Sequence, residues 1–241
     1  TAMTEILLEE GGTLDKYVGD AIVAFFGAPQ TQEDHAQRAA RVALKMQKKL
    51  KELRLKWKEA QEQWPELVTN MVMRIGINSG DILTGNMGAT GRMNYTMMGD
   101  AVNLAARLES SAKQYGILNH ISETTVKLIG SEFLVRKLDK IIVKGKTDPI
   151  TTYELLALNN KNENLSKLVE LFGRGLDSYE NREFNKAREF FRLSLELERF
   201  RFEDLDMGDI NPSKIYIERC EIYLNEPPSS DWTGVFVLQA K

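Results

Sequence analysis

With 241 residues, 42 % of them apolar and 28 % charged, the chain has the composition of a soluble globular protein with one or two domains. Its 32 Lys and Arg against 35 Asp and Glu leave a formal charge of −3, which excludes nucleic-acid binding driven by bulk positive charge. Cys220 is the single cysteine, so a disulfide framework and a cysteine-rich metal site are both excluded, and the reading is a reducing, cytoplasmic compartment. No apolar run approaches the ~20 residues of a membrane span, and no signal peptide is visible.

In chain order, residues 1–10 read as the middle of an amphipathic helix, with no initiating Met, cap or strand before them, and are expected to continue a longer protein. Gly11 and Gly12 supply the helix stop. Two apolar segments around Gly19-Asp20 predict a β-hairpin. Ala39, Val42, Ala43, Met46 and Leu50 recur at helical spacing within a helix predicted over 35–62. The alternation over 71–78 predicts a strand, 82–84 another, and the Gly-rich 85–94 an irregular segment before a strand at 95–98. A helix over 100–111 buries Val102, Leu104, Ala105 and Leu108. Short elements at 118–121, 123–128, 133–138 and 150–156 complete this half. Hairpins interleaved with helices, rather than repeated β-α units, predict an α+β fold with helices over one face of a mainly antiparallel sheet.

Three segments carry candidate chemistry. Asp20 offers a hard oxygen donor at a turn, with the Lys16 cation on the incoming strand. Asn103 and Arg107 are four apart on one helix, so an amide and a guanidinium share a face that suits a ribose and a phosphate. Lys144 and Lys146 bracket Gly145 between two strands, as point charges suited to a polyphosphate. Each has an ordinary structural reading when taken singly: a Gly-Asp turn, a solvated helix face, a basic loop. His35 and His120 lack partners at ligand spacing, and Cys220 sits among Tyr216, Ile217 and Ile222 as a core residue. P-loop and dinucleotide-binding fingerprints are absent from the sequence.

Their order is more specific than any of them alone. Gly-Gly-Thr-Leu-Asp-Lys-Tyr-Val-Gly-Asp-Ala-Ile-Val-Ala-Phe-Phe-Gly-Ala-Pro (11–29) strongly resembles the class III nucleotidyl cyclases. So do Arg-Ile-Gly-Ile-Asn-Ser-Gly (74–80), Tyr-Thr-Met-Met-Gly-Asp-Ala-Val-Asn-Leu-Ala-Ala-Arg-Leu-Glu (95–109) and Val-Lys-Gly-Lys (143–146). The resemblance covers residues 1–157 and implies a ferredoxin-like cyclase fold and an adenylyl cyclase that makes cyclic AMP and pyrophosphate from ATP.

By the same resemblance, Asp20 matches the second of two aspartates that hold two Mg²⁺ or Mn²⁺ ions. Lys16 matches the lysine that reads the purine, with Thr96 at its partner's position, a pairing that selects ATP. Asn103 matches the residue orienting the ribose, Arg107 the one neutralising phosphate charge in the transition state, and Lys144, with Lys146, the triphosphate lysine. A homodimer with composite sites is implied, with 85–94 as an arm reaching across. The family's first metal aspartate lies on a strand preceding the helix at which this chain begins. The chain as given is therefore expected to be inactive and to bind one metal poorly. The other reading of the same residues is a non-catalytic nucleotide-binding or regulatory dimerisation module.

Polar residues over 158–166 predict a linker. In the helical region 167–226, Gly175, Tyr179, Phe184, Ala187, Phe191 and Ser194 approximate a tetratricopeptide pattern. One such unit is too short to stand alone, so it is expected to pack on the cyclase-like domain, a dimer mate or another neighbour. Residues 227–241 are expected to dock within the chain through Trp232. Membrane or sensor regions upstream are compatible with this layout.

Overall fold

Chain reversal at two glycines sets the first turn of the structure, a computed structural model that describes residues 1–60, 64–141, 149–159, 162–202, 204–205 and 208–234. Helix α1 (Ala2–Glu9) stops where Gly11 takes a left-handed φ of 75°, and the amides of Gly11 and Gly12 return to the carbonyls of Leu8 and Leu7. Strands β1 (Thr13–Val18) and β2 (Ala21–Phe25) form the expected hairpin, turning at Gly19 with φ 63°. Their register slips between Leu14 and Lys16, which leaves Asp15 as a bulge residue.

Helix α2 (His35–Glu59) closes at Ala60, whose backbone is extended, earlier than its charge pattern suggested. After the single turn α3 (Glu66–Thr69), strand β3 (Ile75–Ile77) is much shorter than the alternation over 71–78. The reason is local: the carbonyls of Met71 and Met73 accept side-chain bonds from Arg54 and Gln47 of α2, at 2.9 and 3.0 Å, instead of joining a ladder. The segment expected to be irregular is instead a ribbon. Strands β4 (Leu83–Ala89) and β5 (Arg92–Met98) pair without a slip from Leu83↔Met98 to Ala89↔Arg92 around Thr90-Gly91. Its glycines lower strand propensity, but pairing across a two-residue turn needs no distant partner.

Helix α4 (Asp100–Tyr115), strand β6 (Asn119–Ser122), helix α5 (Glu123–Ile129) and strands β7 (Phe133–Ile141) and β8 (Ile150–Leu158) follow. The main sheet has the order β3-β6-β8-β7, with β3 parallel to β6 and the other pairs antiparallel. Its helices lie on both faces, not one. Ile121 of β6 packs with Ala36, Ala40 and Ala43 of α2 and Ile129 of α5. The adjacent His120 turns the other way, onto Tyr115, Ser111 and the carbonyl of Leu108 in α4. Every residue of β6 is buried for this reason.

Helices α6 (Glu163–Glu180), α7 (Phe184–Leu195) and α8 (Pro212–Asn225) form the tail. Gly175 admits the ring of Phe191, which would lie 2.6 Å from a Cβ at that position, so α6 and α7 approach closely. Trp232 packs on Tyr179, Phe184 and Tyr223, with the Arg182 guanidinium over its ring, so residues 227–234 dock within the chain, while 235–241 lie outside the described residues. The tail in turn packs on the sheet domain. Arg136 of β7 donates to Glu154 of β8 at 3.0 Å and to Glu198, between α7 and α8, at 2.7 Å; Arg201 donates to Glu154 at 2.7 Å. Tyr216 and Arg219 of α8 donate to the Leu138 carbonyl and the Asp139 carboxylate of β7, each at 2.7 Å. Among the described residues no helix is long and apolar enough to cross a membrane.

Candidate active site

The bulge at Asp15 decides how β1 meets β5. An extra residue in one strand re-aims the side chains around it. Here it turns the Asp15 side chain inward, 3 % exposed, while the side chain of the adjacent Lys16 stays 52 % exposed. Thr96 of β5, remote in sequence, donates its hydroxyl to Asp15 Oδ2 at 3.0 Å. The ammonium of Lys16 lies 3.5 Å from the same oxygen. Phe25 and Tyr95 rings meet beside them, 6.1 Å between centroids, and close the junction of hairpin and ribbon. Lys16 and Thr96, paired by resemblance alone in the sequence, are thus joined through a carboxylate that sequence reasoning did not single out.

Asn103 and Arg107 lie on the exposed side of α4, opposite the buried Leu104 and Leu108. The helix is fixed by what lies beneath it. A Cβ on Gly76 of β3 would lie 2.1 Å from the Ala105 carbonyl oxygen and 2.4 Å from the Glu109 amide, so only glycine lets α4 sit this close to the strand. Asn78, also missed in the sequence, donates to the Ala101 carbonyl at 3.0 Å and accepts from Thr124 at 3.1 Å, tying the first turn of α4 to α5. At the other end Gly116 ends α4 with φ 59°, and the Ile210 carbonyl of the tail packs against it.

Asp20 is exposed at the tip of the β1–β2 hairpin. Its carboxylate is a hard oxygen donor, and Mg²⁺ takes one or two such ligands together with substrate phosphates, so Asp20 fits as one ligand of such an ion. Among the described residues no group of three or more His, Cys, Asp or Glu gathers into a complete metal site. Lys144 and Lys146 fall in 142–148, outside the described residues. The remaining candidates are structural. Burial holds His120 down to about 4, hence neutral in the core, and pushes the Cys220 thiol up to about 12 among the rings of the tail.

Residues 2–157 match the adenylate and guanylate cyclase catalytic domain. The chain belongs to that family. This cyclase domain is 30 % identical over 219 residues to the terminal-differentiation-specific adenylate cyclase of Dictyostelium discoideum, covering 89 % of the chain and 10 % of that protein. An alignment of that length takes in part of the helical tail as well. It is 34 % identical over 158 residues to an adenylate cyclase of Anabaena cylindrica, covering 64 % of the chain and 30 % of the relative. The chain therefore spans at most about a third of the length of these two relatives.

Among solved structures, the adenylyl cyclase CyaB of P. aeruginosa superposes with a TM-score of 0.58 at 36 % identity, over 66 % of this chain and 79 % of that one. The guanylyl cyclase Cya2 superposes with a TM-score of 0.56 at 31 % identity, over 67 % and 78 %. Both purine specificities are thus represented among the similar folds.

Proposed function

We propose that this domain is an adenylyl cyclase, converting ATP to 3′,5′-cyclic AMP and pyrophosphate. The observation that carries the reading is the meeting of Lys16 and Thr96 on one buried carboxylate, which assembles the two purine-reading side chains before any nucleotide arrives. Lys16 donates to a ring nitrogen of adenine and Thr96 accepts from its amino group. Asn103 holds the ribose so that the 3′-hydroxyl lies in line with the α-phosphate. The new bond joins O3′ to the α-phosphorus, the bond to the β-phosphate oxygen breaks, and the hydroxyl proton leaves to solvent. The Arg107 guanidinium neutralises the charge that builds on the α-phosphate oxygens, with Lys144 and Lys146 on the triphosphate. Asp20 would hold a divalent ion, Mg²⁺ or Mn²⁺, which when bound would lower the pKa of the attacking hydroxyl and screen the phosphates.

In this reading two chains form a homodimer with composite sites, Asp20 of one facing Lys16 and Thr96 of its partner. A two-fold assembly of this kind buries the same face on both chains.

The test is product formation from ATP and from GTP by the native full-length protein and by its Arg107→Ala variant. The expected result is cyclic AMP in excess of cyclic GMP, and a fall in kcat of about 10²–10³-fold with KM changed much less. Loss confined to KM would show that Arg107 only binds the ground state. Nucleotide binding with no cyclic product would overturn the reading in favour of a non-catalytic module.

A further inference from the structure

The position of Asp15 has a consequence for which purine the site accepts. A buried carboxylate needs partners, and among the described residues Asp15 has Thr96 and Lys16, the two base-reading side chains. A threonine hydroxyl carries one proton and two lone pairs, whereas a carboxylate accepts only. The 3.0 Å bond from Thr96 to Asp15 Oδ2 therefore uses the only proton Thr96 has. What Thr96 has left to offer a ligand is lone pairs.

Lys16 is the reverse case. Its ammonium has three donors, and with Asp15 Oδ2 at 3.5 Å it still has donors for a ligand from a half-exposed position. The pair thus presents one acceptor and one donor. Adenine offers the complement, an amino donor at N6 beside an acceptor at N1. Guanine offers an acceptor at O6 beside a donor at N1, so its O6 would meet the lone pairs of Thr96. With no neighbour to take its proton, a threonine hydroxyl can rotate and donate to O6. Held by Asp15, it cannot.

We infer that Asp15 is a positioning residue that fixes the Thr96 hydroxyl as an acceptor and thereby sets the preference for adenine over guanine nucleotides. The inference rests on the ATP reading above and adds to it a third residue that touches neither base nor phosphate. The bulge between Leu14 and Lys16 is what makes it feasible, because a regular strand would send adjacent side chains to opposite faces.

The test uses the native full-length protein and the variants Asp15→Asn, Thr96→Val and the double variant. ATP and GTP are compared in two ways: by displacement of a fluorescent ATP analogue, and by kcat/KM for cyclic product. An Asn at position 15 can turn its amide donors toward Thr96 Oγ1, releasing the hydroxyl proton to the base. The expected result is an ATP-over-GTP ratio lowered about tenfold or more in Asp15→Asn, in binding as well as turnover. Thr96→Val added to Asp15→Asn should lower it no further, since both act through one hydroxyl.

An unchanged ratio in Asp15→Asn, or effects that simply add in the double variant, would overturn the inference and leave the ATP reading standing. A wild-type protein that favours GTP in both assays would overturn the two together. Thermal unfolding of each variant separates a collapsed hairpin, which lowers binding of both nucleotides equally, from a changed preference. If Asp15→Asn collapses in this way, Thr96→Val alone decides: its ratio must fall as the acceptor is removed, and an unchanged ratio refutes the proposal.

Discussion

Replacing Gly76 by alanine tests whether α4 is placed by its fit to β3. The added Cβ would sit 2.1 Å from the Ala105 carbonyl oxygen and 2.4 Å from the Glu109 amide nitrogen. Both are backbone atoms of a helix and cannot swing aside. Ordinary contact begins near 3.4 Å, so the gap between helix and strand must open by the difference from 2.1 Å, about 1.3 Å. Overpacking of this kind costs about 1–3 kcal/mol, and in a chain of this size each kcal/mol lowers Tm by about 2–4 °C. The same movement carries Asn103 and Arg107 with it, and a misplacement of about 1 Å at a reacting centre costs about 10²-fold in rate.

The assay pairs thermal unfolding with the kcat for cyclic nucleotide formation. Gly173→Ala serves as the reference: Gly173 lies within α6 with nothing within 4 Å of its would-be Cβ, so alanine there should stabilise by about 0.5–1 kcal/mol. Gly76→Ala with unchanged Tm and unchanged kcat would refute the close approach of helix and strand. A lowered Tm with full kcat would show that α4 reaches its working position by another route.

Further outcomes follow from the buried charges. His120 is held at about 4 in the folded state against 6.5 when exposed, so on acidification the unfolded chain takes up its proton first. Stability should fall by about 3 kcal/mol as pH drops from 6.5 through 4, as read by urea unfolding, and His120→Leu should flatten that slope. Burial alone would keep Glu198 protonated, but Arg136 and Arg201 outweigh it and hold the carboxyl at about 2. Its contribution is complete above about 4.5 and is lost as pH falls toward 2. Arg136→Met leaves Glu154 and Glu198 with Arg201 as their shared guanidinium in the interface between sheet and tail, one cation short, at a cost of about 3–5 kcal/mol. Limited proteolysis should then cut between β8 and α6 faster than in the wild type, and unchanged cutting and stability would show that the tail is held by its apolar contacts alone.

The elements legible in the sequence are those whose signals are local. The β1–β2 hairpin could be read because a glycine turn separates two apolar runs, and α4 because Val102, Leu104, Ala105 and Leu108 recur at helical spacing, although its last turn, with Ala112 and Tyr115 buried, lay beyond the predicted end at 111. Gly175 and Phe191 could be placed in a helical pattern from the sequence, but that the glycine of α6 faces the ring of α7 is seen only in the folded chain. The β4–β5 ribbon was missed because Gly85, Asn86 and Gly88 are poor strand formers and ladder bonds do not depend on side-chain identity. The strand over 71–78 was overread because Met71 and Met73 alternate correctly while their carbonyls are taken by α2.

By itself the sequence determined the kind of protein this is: motifs in a fixed order, with Lys16, Asp20, Thr96, Asn103 and Arg107 each on a recognisable segment. Only the tertiary structure decided how these segments meet. Asp15 carries no signal of its own in the sequence, and only the bulge turns it inward onto Thr96. Nothing in composition or spacing marks Arg136, Glu154, Glu198 and Arg201 as partners, and only the packing of β7, β8 and the tail encloses them. The physical reason is common to both. Composition and periodicity report which face a residue prefers, whereas burial of a charge is decided by the partners brought to it from elsewhere in the chain, and those partners exist only once the chain has folded.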